Sequence, residues 1–430
     1  VSAGEVSPAY RSDRIVLSTT GPDSAARDAV VDALRTLGDS SEVTGVERIS
    51  LPGTDDDSLP PVVAVSLRAP AGRLAPVLRV ARQLRDKGIV ASPDYELQAS
   101  DGPIGVWPDG YPSPVDTLTP PRDASIGAGV TIAVYDTGLA GPAQSNPPAN
   151  VNRLTSYDAE QSLDTTPADG IADHYYGGHT VAIAGVLATL APGASVVAVR
   201  ITLEDGVATD ISAARRMANT LRGANAAGAW PDLIVNAFGT SACDIDVDDP
   251  DTGKLEPLGL RMVSNAVRHF HQSLIVASAG NMATDEPYYP AAFDPVVAVG
   301  ALDATADTDG SPWTSPDRSG SMAEFSNHGP WVDAWAPGVD LPTNHVTGLR
   351  FTADGPVING RASVNGTSFA APYAAALIAE QMAATGQGPA QAWVSVAAAG
   401  TVYSADWDAG SGSRPAVAIA LTDLAGTAHS

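Results

Sequence analysis

The chain has 430 residues, 44% hydrophobic and 17% charged, a balance that fits two or three globular domains with a large core and excludes a disordered chain. Acidic residues outnumber basic ones 49 to 24, for a net charge of −25, which argues against nucleic acid as a partner because phosphate binding needs basic patches. The single cysteine, Cys243, excludes an internal disulfide, and no apolar run is long enough to span a bilayer.

The opening VSAGEVSPAY has neither the basic start nor the apolar core of a signal peptide, and it has no initiator Met, so a leader already removed is one expectation. RIVLS then reads as a strand, and GPDSAARDAVVDALRTLGD as a helix with Ala26, Val30, Ala33, Leu34 and Leu37 on one face, stopped at Gly38. VTGVERISL and PVVAVSLRA are strand-like. GRLAPVLRVARQLRDKG places Leu74, Val77, Leu78, Ala81 and Leu84 on one helical face, and IVASPDYELQAS closes the unit as a strand. The order is βαββαβ over residues 1–100, a ferredoxin-like α+β module.

Residues 101–124 are rich in Pro and Gly and read as a junction or extended linker. From there to residue 430 the pattern changes. GVTIAVYD, ASVVAVRI, DLIVNAF, SLIVASAG and VVAVGAL are apolar without alternation, as in parallel strands covered on both faces, and helical segments lie between several of them. The expected fold is α/β, a mostly parallel sheet with helices on both faces. In such sheets chemistry sits at the carboxyl ends of the strands.

Four residues occupy such boundaries. Asp136 follows TIAVY, His179 opens a helix after two glycines, Asn281 lies just past IVASAG, and Ser368 stands at the start of the last long helix. Taken singly, each has a plain structural explanation. Asp-Thr-Gly is good turn chemistry, Ser is a favoured helix N-cap, and a histidine or asparagine at an element end needs no role. Together they supply a nucleophile, a base, a group to orient the base and a donor for an oxyanion.

At this point the chain resembles the subtilisin-like serine peptidases, whose Asp, His, Ser order it shares. GTSFAAP (366–372) resembles the nucleophile motif, YDTG the Asp motif and SAGN the oxyanion motif, with APGASVVAVRI, YPAAFDPVVAVGAL and EFSNHGPWVDAWAPG as further similar blocks. The resemblance covers roughly residues 125 to 425. It implies a serine endopeptidase with Asp136, His179 and Ser368 catalytic and Asn281 in the oxyanion hole. It also implies a first specificity pocket lined by Ala237, Phe238 and Gly239 on one side and Ala277, Ser278, Ala279 and Gly280 on the other. No cofactor is then needed for the chemistry, and structural calcium is compatible with the family. The implied partners are protein or peptide substrates and the N-terminal module, in the place of an inhibitory prodomain. The expected location is extracellular.

One motif departs. The family usually has His-Gly-Thr, whereas Thr180 follows His179 here, and a β-carbon at that position would be expected to crowd the base or narrow the cleft. His174 is a rival base without the downstream Ala-Gly spacing. A catalytically impaired binding protein on the same scaffold is therefore an alternative. An α/β-hydrolase esterase is another, disfavoured because Ala370 replaces the last Gly of Gly-x-Ser-x-Gly and only His429 follows Ser368. A sedolisin-like acid peptidase is disfavoured by His179 itself. The acidic run Asp244–Asp251 lacks the Gly and Glu placement of an EF-hand and reads as a solvated loop, with Cys243 beside it inert.

Overall fold

The computed structural model of the chain describes residues 9–51, 60–97, 110–139, 151–153, 177–202, 208–245, 253–303, 321–402 and 417–418. The first unit runs β1 (Tyr10–Ser18), α1 (Asp23–Thr36), β2 (Glu42–Ile49), β3 (Val62–Arg68), α2 (Val77–Asp86) and β4 (Ala91–Leu97). Its strands lie in the order β2-β3-β1-β4, every pair antiparallel. Ala26, Val30, Ala33 and Leu34 of α1 and Val77, Val80, Ala81 and Leu84 of α2 are buried against Ile15, Leu17, Val63 and Val65 of the sheet. One expectation fails here. Leu74 is 78% exposed, because the helix begins only at Val77. A residue before proline is pushed out of the helical region, so α2 cannot extend back past Pro76 through Ala75.

The second unit follows in chain order: β5 (Ser113–Pro114), β6 (Thr131–Asp136), β7 (Val151–Arg153), α3 (His179–Leu190), β8 (Ser195–Arg200), β9 (Ala208–Thr209), α4 (Asp210–Ala226), β10 (Leu233–Asn236), β11 (Thr240–Ser241), α5 (Leu258–Ala266), β12 (Leu274–Ser278), β13 (Tyr288–Tyr289), β14 (Val296–Asp303), β15 (Ser321–Met322), β16 (Ala334–Pro337), β17 (Leu341–Leu349), β18 (Ile358–Val364), α6 (Thr367–Thr385), α7 (Pro389–Ala399), β19 (Thr401–Val402) and β20 (Val417–Ala418). The main sheet has the order β19-β20-β16-β14-β12-β10-β6-β8-β7. Its neighbours from β20 to β7 are parallel, β19 pairs antiparallel with β20 at one edge, and β15 pairs antiparallel with the end of β14. Ile132, Val134, Val235 and Val276 pack on one face with α3 and α6, while Ala133, Tyr135, Ile234 and Ile275 pack on the other with α4 and α5. Helix cover on both faces is why these strands carry no polar alternation.

The two units join edge to edge. β4 pairs antiparallel with β9, Glu96 opposite Thr209 and Leu97 opposite Ala208, so the first sheet gains a fifth strand from the second unit. Leu255, fully buried, belongs to the core of the first unit, and the Cys243 N–H donates to Tyr95 Oη at 3.0 Å. The acidic run therefore begins as a contact rather than as solvated chain. Asp244 pairs with Lys254 at 2.8 Å, and its carbonyl accepts from Arg82 of α2; residues 246–252 lie outside the described residues. The junction also contains an element, since Ser113 and Pro114 pair with Ser363 and Ala362 of β18; residues 98–109 lie outside the described residues.

Candidate active site

Asp136 is the last residue of β6 and His179 the first of α3. Gly178 caps that helix with φ +83°, and a Cβ there would fall 2.3 Å from Cε1 of His345, a buried residue of β17. Only glycine satisfies both the left-handed backbone and the close approach. Burial pushes His345 down to about 3, so it faces His179 as a neutral ring. His179 Nδ1 lies 2.8 Å from Asp136 Oδ1. An ionised carboxylate only accepts, so Nδ1 carries the proton of the neutral ring and Nε2 is its basic nitrogen.

Ser368 is the second residue of α6, behind an N-cap at Gly366 whose φ of +146° is accessible only to glycine. The N-cap explanation for this serine is thereby overturned: Ser368 is inside the first turn, and the cap position has no side chain. Its backbone N–H is among those that a helix start leaves without an intrahelical acceptor, at the positive end of the dipole. Helices α3 and α6 pack together, and the Phe369 ring meets the His179 ring edge-on at 5.5 Å, which brings the start of one helix to the start of the other.

Asn281 lies in the loop after β12. Its Oδ1 accepts from the Thr367 N–H and the Thr367 hydroxyl, both at 2.9 Å. The amide orientation is set by these donors, so the donor end, Nδ2, is the end turned away from Thr367. The loop is held by Asn327, which was not assigned a role from sequence. Asn327 Oδ1 accepts from the Met282 N–H at 2.8 Å and Nδ2 donates to the Ala279 carbonyl at 2.9 Å. A buried asparagine in the block EFSNHGP was the available signal.

Ala237, Phe238 and Gly239 leave the end of β10, while Ala277 and Ser278 end β12 and lead into Ala279 and Gly280; β10 and β12 are neighbours, with Asn236 opposite Ala277. Sequence reasoning missed what lies against both segments. A Cβ on Gly239 would come within 2.4 Å of the Tyr288 ring, and one on Gly280 within 3.2 Å of it. Tyr288 is fully buried, and β13 holds it by pairing with Ser241 of β11.

Thr180, which stands where the family usually has Gly, is buried directly after His179 in the first turn of α3. Its hydroxyl turns toward Asp136 Oδ1, 2.9 Å away. Asp136, His179, Asn281 and Ser368 are each no more than 1% exposed in the intact chain. His174 lies outside the described residues. Among the described residues no group of three or more His, Cys, Asp or Glu could hold a metal ion, and no helix is long and apolar enough to cross a membrane.

Over 306 residues the chain is 30% identical to the thermophilic serine proteinase of Bacillus sp. (strain AK1), a match covering 67% of this chain and 62% of that protein. It is 28% identical to thermitase of Thermoactinomyces vulgaris over 260 residues, 59% of this chain and 75% of thermitase. The crystal structure of fervidolysin from Fervidobacterium pennivorans, a keratinolytic enzyme related to subtilisin, aligns with a TM-score of 0.58 at 18% identity, covering 97% of this chain and 61% of that one. The chain thus spans less than two thirds of the length of the Bacillus proteinase and of fervidolysin. Residues 127–414, more than half of the chain, match the model of the Subtilase family. The chain belongs to the subtilase family.

Proposed function

We propose that the chain is a serine endopeptidase that hydrolyses peptide bonds through an acyl-enzyme on Ser368. The observation that carries this reading is the His179 Nδ1 to Asp136 Oδ1 contact of 2.8 Å at the end of the helix that packs on the Ser368 helix. Ser368 Oγ attacks the scissile carbonyl carbon while His179 Nε2 takes its proton. Negative charge then gathers on the carbonyl oxygen, and the Ser368 N–H and Asn281 Nδ2 donate to it. His179 passes its proton to the leaving amine. Water repeats the sequence on the acyl group and frees the enzyme. Asp136 keeps the ring in one tautomer and stabilises the imidazolium.

The N-terminal unit is read as an inhibitory prodomain. In support, β4 continues toward the second unit as a strand paired with β9, Leu255 inserts into the N-terminal core, and Ser368 is buried in the intact chain. Added strands of this kind are a common way for a peptide to occupy a cleft. Cleavage between about residues 98 and 120 would then release the enzyme.

The test is an internally quenched peptide assayed with the wild type and with Ser368→Ala, with products identified by mass spectrometry. The wild type should cut internal peptide bonds and the variant should not exceed background. Trimming from the peptide ends alone would rule out the endopeptidase reading.

A further inference from the structure

Thr180 is buried, and its hydroxyl sits in a small polar cluster behind the candidate base. Oγ1 is 2.9 Å from Asp136 Oδ1, 2.9 Å from the Gly138 nitrogen and 3.0 Å from Thr137 Oγ1. The Gly138 N–H can only donate, so Thr180 Oγ1 accepts there. The carboxylate can only accept, so the Thr180 proton is given to Asp136. The same Oδ1 is contacted by His179 Nδ1 at 2.8 Å and by the Thr137 hydroxyl at 3.1 Å. A glycine following the histidine would supply none of this.

We infer that Thr180 is a positioning residue, acting on His179 through Asp136: its hydroxyl fixes Oδ1 in line with Nδ1 and disperses part of the carboxylate charge. The inference rests on the reading of His179 as the general base. Bonds to ionised acceptors are among the stronger hydrogen bonds, so loss of this one should be visible. Among the described residues, the other ionisable groups around the cluster are His345, behind Gly178, and Arg200, which packs on Gly138 and donates to the Thr202 carbonyl. Neither is altered in the variants below.

Thr180→Val keeps the shape and removes the hydroxyl; Thr180→Ser keeps the hydroxyl. With active sites counted by fluorophosphonate titration, T180V should lower kcat about tenfold with KM little changed. The acid limb of its pH–rate profile should move up by roughly half a pH unit, because a less neutralised Asp136 holds the imidazolium more tightly. T180S should restore both. If T180V does not fold, T180A takes its place. The pH midpoint of the His179 ring, followed by NMR in Ser368→Ala protein, should shift upward with T180V in the same way and needs no turnover. An inactive wild type would therefore defeat the peptidase reading, while the ring titration would still decide the role of Thr180. An unchanged kcat, acid limb and ring midpoint in T180V, or a T180S that behaves like T180V, would overturn the inference.

Discussion

Asp94 of β4 and Asp210 of α4 are both fully buried and occupy successive capping positions across the boundary between the two units. Asp94 Oδ1 accepts from the Ile211 N–H at 3.0 Å, and its Oδ2 meets Arg14 at 3.1 Å. Asp210 in turn accepts from the Gly259 and Leu260 N–H groups of α5 at 2.8 and 2.7 Å. The start of one helix is thus capped from the N-terminal unit, and the start of the next from that helix.

Burial, and then the charge of Asp94, push Asp210 up to about 7, and burial also raises Asp94 against the pull of the Ile211 N–H and Arg14. A carboxyl raised on folding binds its proton more tightly in the folded state. The stability it contributes is full below its unfolded value, near 4, and is lost as pH rises through about 7. Thermal unfolding of uncut Ser368→Ala protein should therefore show a Tm that falls between pH 5 and 8, and Asp210→Asn should flatten that slope. An unaltered slope in D210N would exclude this pair as its source.

Leu255, fully buried, is the second-unit residue buried within the core between the N-terminal sheet and its helices, beside a wider apolar contact of that sheet's other face with the second unit. Leu255→Ala should weaken docking by about 2–5 kcal/mol, the usual range for such a truncation. Inhibition of the processed enzyme by added fragment 1–100 measures this. Equal inhibition of L255A and wild type would show that the contact does not hold the unit in place.

Asn281→Ala should reduce kcat by roughly a hundred- to a thousandfold with KM nearly unchanged, the size of loss seen on removing the oxyanion-hole asparagine of subtilisin. A variant defective in KM alone would mean that Asn281 contacts the ground-state substrate and not the oxyanion.

The Tyr288 ring lies against Gly239 and Gly280, the two walls assigned to the first specificity pocket. If the ring fills the space between them, small residues should be preferred before the scissile bond, and Tyr288→Ala should shift preference toward larger apolar ones. A peptide library profile in which wild type already favours Phe or Leu would contradict this placement.

Much of this architecture was legible because each element obeys one period. Continuous apolar strands announce a sheet covered on both faces, and Ala26, Val30, Ala33 and Leu34 mark one helical face. Leu74 was misread because its spacing fits the helix that Pro76 prevents. Ser368 was ambiguous between cap and nucleophile until Gly366 proved to hold the cap position. The direction of the Thr180 hydroxyl, the Tyr288 ring against two glycines and the grip of Asn327 on its loop depend on side chains brought together from distant segments. No local pattern encodes such meetings, whereas the motif text at Asp136, His179, Asn281 and Ser368 is local and could be read directly.

Ser368 is proposed to be an activated nucleophile. Wild-type protein allowed to process itself, treated with a fluorophosphonate and digested for tandem mass spectrometry, tests it most directly. A single adduct on Ser368, absent from Ser368→Ala and strongly reduced in His179→Ala, is the predicted result. Processed wild type that carries no adduct, or an adduct retained in Ser368→Ala, would contradict it.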